Sequence, residues 1–394
     1  MRALRSRYPT VLDLDRLLRL AVDERASDVH LKVGARPHLR VDGALRESPL
    51  ELIEAADTEQ VAARVLPPVR AIGLRGSAEV DAVYAVQGLG RFRVSAFRQQ
   101  GHIALVLRRI VPGVPAIDAL GLPHATERLA DAASGLVLVT GLAGSGRTST
   151  LAAMVDHVNQ SRAAHIVTVE QPVEVIHPDK RSVVDQREVG IDTVSFEAAL
   201  AAVAHQDPDV VVVGALPNAE TALAALEIAD AGRLVIAVSQ AVGAVDAVTR
   251  LIDRFAPAQR SPARALVART LRGVLCQRLL PRAGGRGRVP AVEVLVANGP
   301  VAGAVADSDS ADCIEAIIAD GEMWGMQTFD QSLAGLYRRG LVARDDALAH
   351  ATYEPGLAVM LDEADRTRAG TPGARASDAG VTVPVERVPA ETAP

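Results

Sequence analysis

A glycine-rich run, Gly141-Leu142-Ala143-Gly144-Ser145-Gly146, followed by Arg147, Thr148 and Ser149, is the stretch of this chain best equipped for chemistry. Glycines at this spacing let successive backbone N–H groups face a phosphate chain, and a helix starting behind them adds its positive end. The apolar run Leu136–Val139 before it reads as a buried parallel strand, and a helical pattern follows it. Strand, glycine loop and helix is the setting that G-x-x-x-x-G-K-[ST] requires of a nucleoside triphosphate site. Thr148 stands where a hydroxyl would hold Mg2+ beside ATP. Arg147 stands where the motif has lysine.

The bulk composition narrows the function classes. With 394 residues the chain is long enough for two domains, and 49% hydrophobic residues with a net charge of −6 indicate a folded, soluble protein. Acidic residues outnumber basic ones, 48 to 42, which argues against a whole-protein nucleic-acid surface. Cys276 and Cys313 lie far apart and form no C-x-x-C pair, so neither a structural zinc site nor a disulfide framework is expected. No apolar run approaches a bilayer span and the charged N-terminus has no signal-peptide pattern, so a cytoplasmic protein without direct membrane insertion is expected. Lys32 and Lys180 are the only lysines; the remaining basic residues are arginine.

Two kinds of periodicity divide the chain. Residues 1–111 read as a small α+β domain: a helix over 12–22, strands near 26–32 and 37–43, a helix over 57–65, and a hairpin of 79–84 and 91–96 around Gly88-Leu89-Gly90. Alternation puts Arg91 and Arg93 opposite Phe92 and Val94. Their face is either plainly solvated or a cationic face that reaches a phosphate on another domain or subunit. Residues 112–130, punctuated by Pro112, Pro115 and Pro123, read as a linker. From 131 to 355, strands at 136–140, 165–170, 210–214 and 234–239 alternate with helices at 148–159, 195–205 and 220–230. That order predicts an α/β domain with a parallel sheet between helices. Beyond Ser261 a mostly helical region with one strand at 291–296 is expected, and 356–394 reads as a disordered tail. Trp324 and both cysteines read as core residues, and His124 and His350 as partnerless.

Seven collinear segments, ASDVHLKVG, RVDGALR, GLGRFRVSAFRQQ, GLVLVTGLAGSGRTSTLAAMVDHVN, VDQREVGIDTVSFEAAL, QDPDVVVVG and GMQTFDQSL, resemble the PilT family of type IV pilus retraction ATPases within the secretion ATPase superfamily. The resemblance runs from about residue 9 to about residue 353. It implies a RecA-like P-loop NTPase domain preceded by a PAS-like α+β domain, and a hexameric ring, homomeric or mixed with other PilT-like subunits. It further implies a role in twitching motility through an inner-membrane pilus platform protein. Arg91, Arg93 and Arg108 fall on arginines that in the family reach the nucleotide.

The same resemblance makes the departures visible. Besides Arg147, the segment Val169-Glu170-Gln171-Pro172 keeps one carboxylate, Glu170, but has Gln171 where the family has aspartate. Ala215 stands where the family has the glutamate that polarises water, and losing such a group typically costs about 10²- to 10⁴-fold in rate. The family's two histidine-box histidines fall at Arg233 and Gln240. Together these losses predict a pseudo-enzyme: a nucleotide-binding ring subunit whose hydrolysis is weak or lost. Two other readings stand beside it. One is an active motor that uses Glu170 or Glu174 as a substitute base; the other is a nucleotide-gated binding module of a pilus or secretion platform.

Overall fold

The structure is a computed structural model that describes residues 12–369, except 42, 76–78, 111–112, 286 and 308–312. Its first half runs α1 (Leu14–Asp23), β1 (Asp28–Leu31), β2 (His38–Val41), β3 (Ala44–Glu47), α2 (Ala55–Val65), α3 (Pro68–Arg75), β4 (Val80–Val86), β5 (Gly90–Gln99) and β6 (His102–Ile110). The six strands form one sheet in the order β3-β2-β1-β6-β5-β4, with every neighbouring pair antiparallel. One face of it is the core. Phe92, Val94 and Ala96 of β5 are fully buried with Leu17 and Leu18 of α1 and Val61 of α2. Burying a side chain of this size contributes about 1.5–3 kcal/mol. The same alternation turns Arg91 and Arg93 to the opposite face.

The second half runs α4 (Ala125–Ala130), β7 (Gly135–Gly141), α5 (Arg147–Ser161), β8 (His165–Glu170), β9 (Val183–Glu188), α6 (Phe196–Val203), β10 (Val210–Val213) and α7 (Ala219–Asp230). It continues with β11 (Leu234–Val238), α8 (Ala244–Asp253), α9 (Arg260–Thr270), β12 (Leu271–Pro281) and β13 (Arg288–Val296). Five helices close it: α10 (Gly299–Ala306), α11 (Cys313–Ala319), α12 (Phe329–Arg338), α13 (Arg344–Ala349) and α14 (Glu354–Ala369). Seven strands lie in the order β13-β12-β7-β11-β10-β8-β9, parallel throughout except for the β12–β13 pair. Along β7 the side chains alternate between two cores. Leu136 and Leu138 pack with α6, α7, α8 and α9, while Val137 and Val139 pack with α4 and α5. Helices therefore cover both faces, which is why the strands read as unbroken apolar runs.

Side-chain caps set the helix starts where the sequence supplies them. Ser195 accepts from the Ala198 N–H at 3.2 Å and Asn218 from the Thr221 N–H at 2.9 Å. Ile117, Leu122, Ala125 and Leu129, all within the stretch read as a linker, pack into the same core as β7. Gly273 of β12 lies against Leu129; a Cβ there would come within 2.6 Å of the leucine.

Four expectations are corrected. Residues 271–281, expected to be helical, form β12, and they pair with both β7 and β13. A continuous apolar run buried on both faces carries no alternation that separates strand from helix. The tail expected over 356–394 is ordered at its start. Residues 354–369 form α14, with Leu357 and Leu361 fully buried beside Phe329 and Leu333 of α12; residues 370–394 lie outside the described residues. Trp324 is half exposed rather than a core anchor, and Cys313 is exposed while Cys276 is buried. His124 and His350 have partners, the Glu127 carboxylate at 2.7 Å and the Asp346 carbonyl at 2.9 Å.

Candidate nucleotide site

The parallel strands all point their C-terminal ends to one edge of the sheet, where open α/β sheets place their ligands. At that edge β7 ends in Gly141, the chain turns through 142–146, and α5 begins at Arg147. Gly141 has φ +142° and Gly146 φ +92°, conformations that L side chains rarely adopt. Gly146 is the N-cap of α5 and provides no side-chain acceptor, so the first-turn N–H groups of Arg147, Thr148 and Ser149 have no capping side chain. Ser145 Oγ is buried and has no hydrogen-bond partner among the described residues. A loop with uncapped amides and an orphaned hydroxyl fits an anion.

Sequence reasoning missed the residue that braces this loop. Gln277 of β12 is buried; its Nε2 donates to the Ser145 carbonyl at 2.8 Å, and its Oε1 accepts from Thr150 Oγ1 at 2.9 Å. One amide thus ties the tip of the loop to the first turns of α5. The available signal was a polar pair, Gln277-Arg278, inside the otherwise apolar run Val274–Leu280.

A cavity of about 730 Å3 opens beside the loop, walled by Arg147, Thr148, Glu170, Gln171, Ala215 and Gln240 among others. These come from the ends of β7, β8, β10 and β11, so the fold gathers Arg147, Gln171, Ala215 and Gln240, though not Arg233, around one space. Arg147 donates to the Ser239 carbonyl at 2.7 Å, and burial holds its pKa below the usual arginine value. Glu170 accepts from Thr168 Oγ1 at 2.7 Å and Gln186 Nε2 at 3.2 Å. Burial pushes its pKa up against those two hydrogen bonds. Ala215 presents only a methyl group, and no carboxylate occupies its position.

The first sheet meets the second at this edge. Arg91 donates to the Val173 and Glu174 carbonyls at 3.1 and 3.3 Å, and Arg93 Nη1 bonds Glu174 Oε1 at 2.7 Å. Within the chain this face docks the first sheet on the segment that follows β8, and Arg93 also lines the cavity. Two further residues do not come to the site. Arg108 is well exposed and pairs with Asp28 at 2.8 Å. Arg233 precedes β11, at the opposite edge of the sheet from the loop, and pairs with Asp207 at 3.5 Å.

Beneath the site, Glu293 of β13 accepts from the Ala244 N–H and so anchors the start of α8. Burial pushes its pKa up to about 7; the Ala244 hydrogen bond and Arg278 oppose the rise, and Glu315 and Asp330 add to it. The folded protein therefore binds a proton here that the unfolded chain, with an ordinary value of 4.5, releases earlier. Stability from this group is full below pH 4.5 and is lost as pH rises towards 7. Glu293→Gln is expected to remove that slope and to leave the variant about 1–3 kcal/mol more stable than the parent at pH 8. Urea unfolding between pH 5 and pH 8 measures it, and parallel curves for both proteins would contradict it.

With the geometry established, comparison with known proteins adds the lineage. Residues 4–314 match the family described as "Type II/IV secretion system protein". The type IV pilus retraction ATPase PilT of Pseudomonas aeruginosa is 34% identical over 336 residues, 85% of this chain and 97% of that protein. The chain belongs to the PilT family. The type IV pilus ATPase PilU of the same organism is 33% identical over 350 residues, 89% of this chain and 91% of its own length. Among solved structures, the pilus retraction motor PilT with bound ADP superposes with a TM-score of 0.80 at 35% identity, covering 88% of this chain and 99% of that one. The α/β fold with a parallel sheet between helices is thus the fold of a PilT ATPase.

Proposed function

We propose that this PilT-family chain is a nucleotide-binding subunit of a pilus motor ring in which ATP hydrolysis is weak or lost. The observation that carries the reading is a braced phosphate loop facing Ala215 and Gln240. Uncapped amides, the orphaned Ser145 hydroxyl and Arg147 support phosphate binding, while Ala215 offers only a methyl where a water-activating group would stand. On this reading the amides of Gly144, Ser145 and Gly146, the Ser145 and Ser149 hydroxyls and the Arg147 guanidinium hold the phosphates of ATP or ADP. The Thr148 hydroxyl holds Mg2+, which would neutralise phosphate charge. A guanidinium keeps the positive charge of the usual lysine, but its planar fork cannot thread between phosphates as an ammonium does. Binding survives that exchange better than transition-state geometry does.

The ring is a hexamer on this reading, homomeric or shared with active PilT-like subunits, with the 131–355 domain carrying the nucleotide and the 1–111 domain docked through Arg91 and Arg93. It works in the cytoplasm against the inner face of the membrane, through a platform protein. No described helix is long and apolar enough to cross a membrane. One observation favours the active-motor reading instead: Glu170 lines the cavity with a raised pKa, as a general base would need. Glu174, the other candidate base, is held in the ion pair with Arg93.

Calorimetric titration of the full chain with ADP and Mg2+ tests the binding half of the proposal. Saturable binding at one site per chain is expected, weakened at least about tenfold by Thr148→Ala together with Gly146→Val. Binding that is absent, or indifferent to both substitutions, would remove the nucleotide reading.

A further inference from the structure

Most charged groups that wall the cavity find partners of opposite charge within the chain. Arg93 pairs with Glu174, Arg250 with Asp246 at 2.7 Å, and Asp253 with Arg260 at 3.2 Å. Two arginines of the wall have no carboxylate partner among the described residues: Arg147 and Arg254. Each is held only by a backbone carbonyl, Arg147 by Ser239 at 2.7 Å and Arg254 by Pro217 at 3.0 Å. Arg254 Nε is buried and has no partner at all among the described residues.

The two carbonyls fix where the guanidinium groups lie. Ser239 follows β11 and Pro217 follows β10, and these strands are neighbours in the sheet, β11 being the one next to β7. Adjacent strands lie about 4.8 Å apart. From the loop at the end of β7, the cations are therefore reached in sequence, first Arg147 and then Arg254. Arg254 stands beyond the loop, close to the chain segment that carries Ala215. A polyphosphate that extended from the loop towards Ala215 would bring its terminal group to Arg254.

Both guanidinium groups are partly buried, and Arg250 adds repulsion at Arg254. Two partly desolvated cations without a counter-charge are costly, and an anion from outside relieves both. We infer that Arg147 and Arg254 form a two-arginine clamp on a nucleoside polyphosphate, in which Arg254 contacts the terminal phosphate and distinguishes triphosphate from diphosphate. The inference rests on the nucleotide reading above and adds what that reading leaves open. A subunit that hydrolyses slowly still senses whether the third phosphate is present, through the residue that caps the C-terminal end of the helix anchored by Glu293.

The test compares the β,γ-imido analogue of ATP with ADP, each with Mg2+, on the full chain and on Arg254→Gln and Arg254→Lys. A charge-assisted hydrogen bond lost only with triphosphate predicts that Arg254→Gln weakens the analogue about tenfold or more and ADP less than about threefold. Arg254→Lys should recover part of the loss. Equal loss for both ligands, or none for either, overturns the clamp while leaving nucleotide binding intact. Failure of the parent chain to bind either ligand overturns the nucleotide reading and the clamp together. Should Arg254→Gln not fold, competition against a fluorescent ADP analogue on the parent chain decides. Tripolyphosphate should compete about tenfold better than pyrophosphate, and equal competition contradicts the assignment.

Discussion

Arg147→Lys combined with Ala215→Glu is expected to raise steady-state phosphate release by about 10²- to 10⁴-fold. Both positions wall the same cavity, so the two changes act on one reacting group. The lysine replaces a guanidinium tied to the Ser239 carbonyl by an ammonium free to reach between phosphates. The glutamate returns a carboxylate to the end of β10, where Ala215 leaves the space open. Neither change alone is expected to give the full gain, because groups that act as a unit are far from additive. Phosphate release under saturating ATP and Mg2+ measures it for both single variants and the double. A double variant no faster than the parent would mean that water is activated elsewhere, with Glu170 the group to remove next.

Gly141→Ala should abolish detectable nucleotide binding at concentrations that saturate the parent, a loss of at least about 100-fold. A Cβ at this position would strike Ser145 Oγ on one side and come within 2.5 Å of the Gln277 carbonyl on the other. The backbone also sits at φ +142°, which alanine resists. The loop must open or β12 must shift, and either movement breaks the Gln277 bridge between Ser145 and Thr150. An overpacked buried position of this kind also costs about 1–3 kcal/mol of stability. Titration with ADP and a thermal melt separate the two effects. Parent-like affinity in a folded Gly141→Ala protein would mean that the loop is not the phosphate site.

How far the sequence could be read depended on the range of the interactions involved. The loop was legible because strand, glycines and helix are contiguous, and its glycines do adopt the conformations their spacing implied. Arg91 and Arg93 were legible as a face, since alternation decides which side of a strand a residue takes. Alternation says nothing of what the face meets: within the chain Arg108 pairs with Asp28. Arg233, placed in the sequence by resemblance alone, lies a strand's length from the loop. Gln277 was invisible because its contact to Ser145 spans 132 residues and runs through a strand that reads as helix. Arg254 looks like any arginine at a helix end until the cavity shows that, unlike Arg250 of α8, it lacks an acidic partner among the described residues.

The central claim is a retained nucleotide site without the means to use it, and one measurement addresses it directly. Steady-state phosphate release by the purified full chain should be compared with a Gly146→Val, Thr148→Ala double variant that serves as the background. Release indistinguishable from that background is the predicted result. A rate clearly above it, abolished by the double substitution, would contradict the claim and make this chain a working motor that activates water without a carboxylate at position 215.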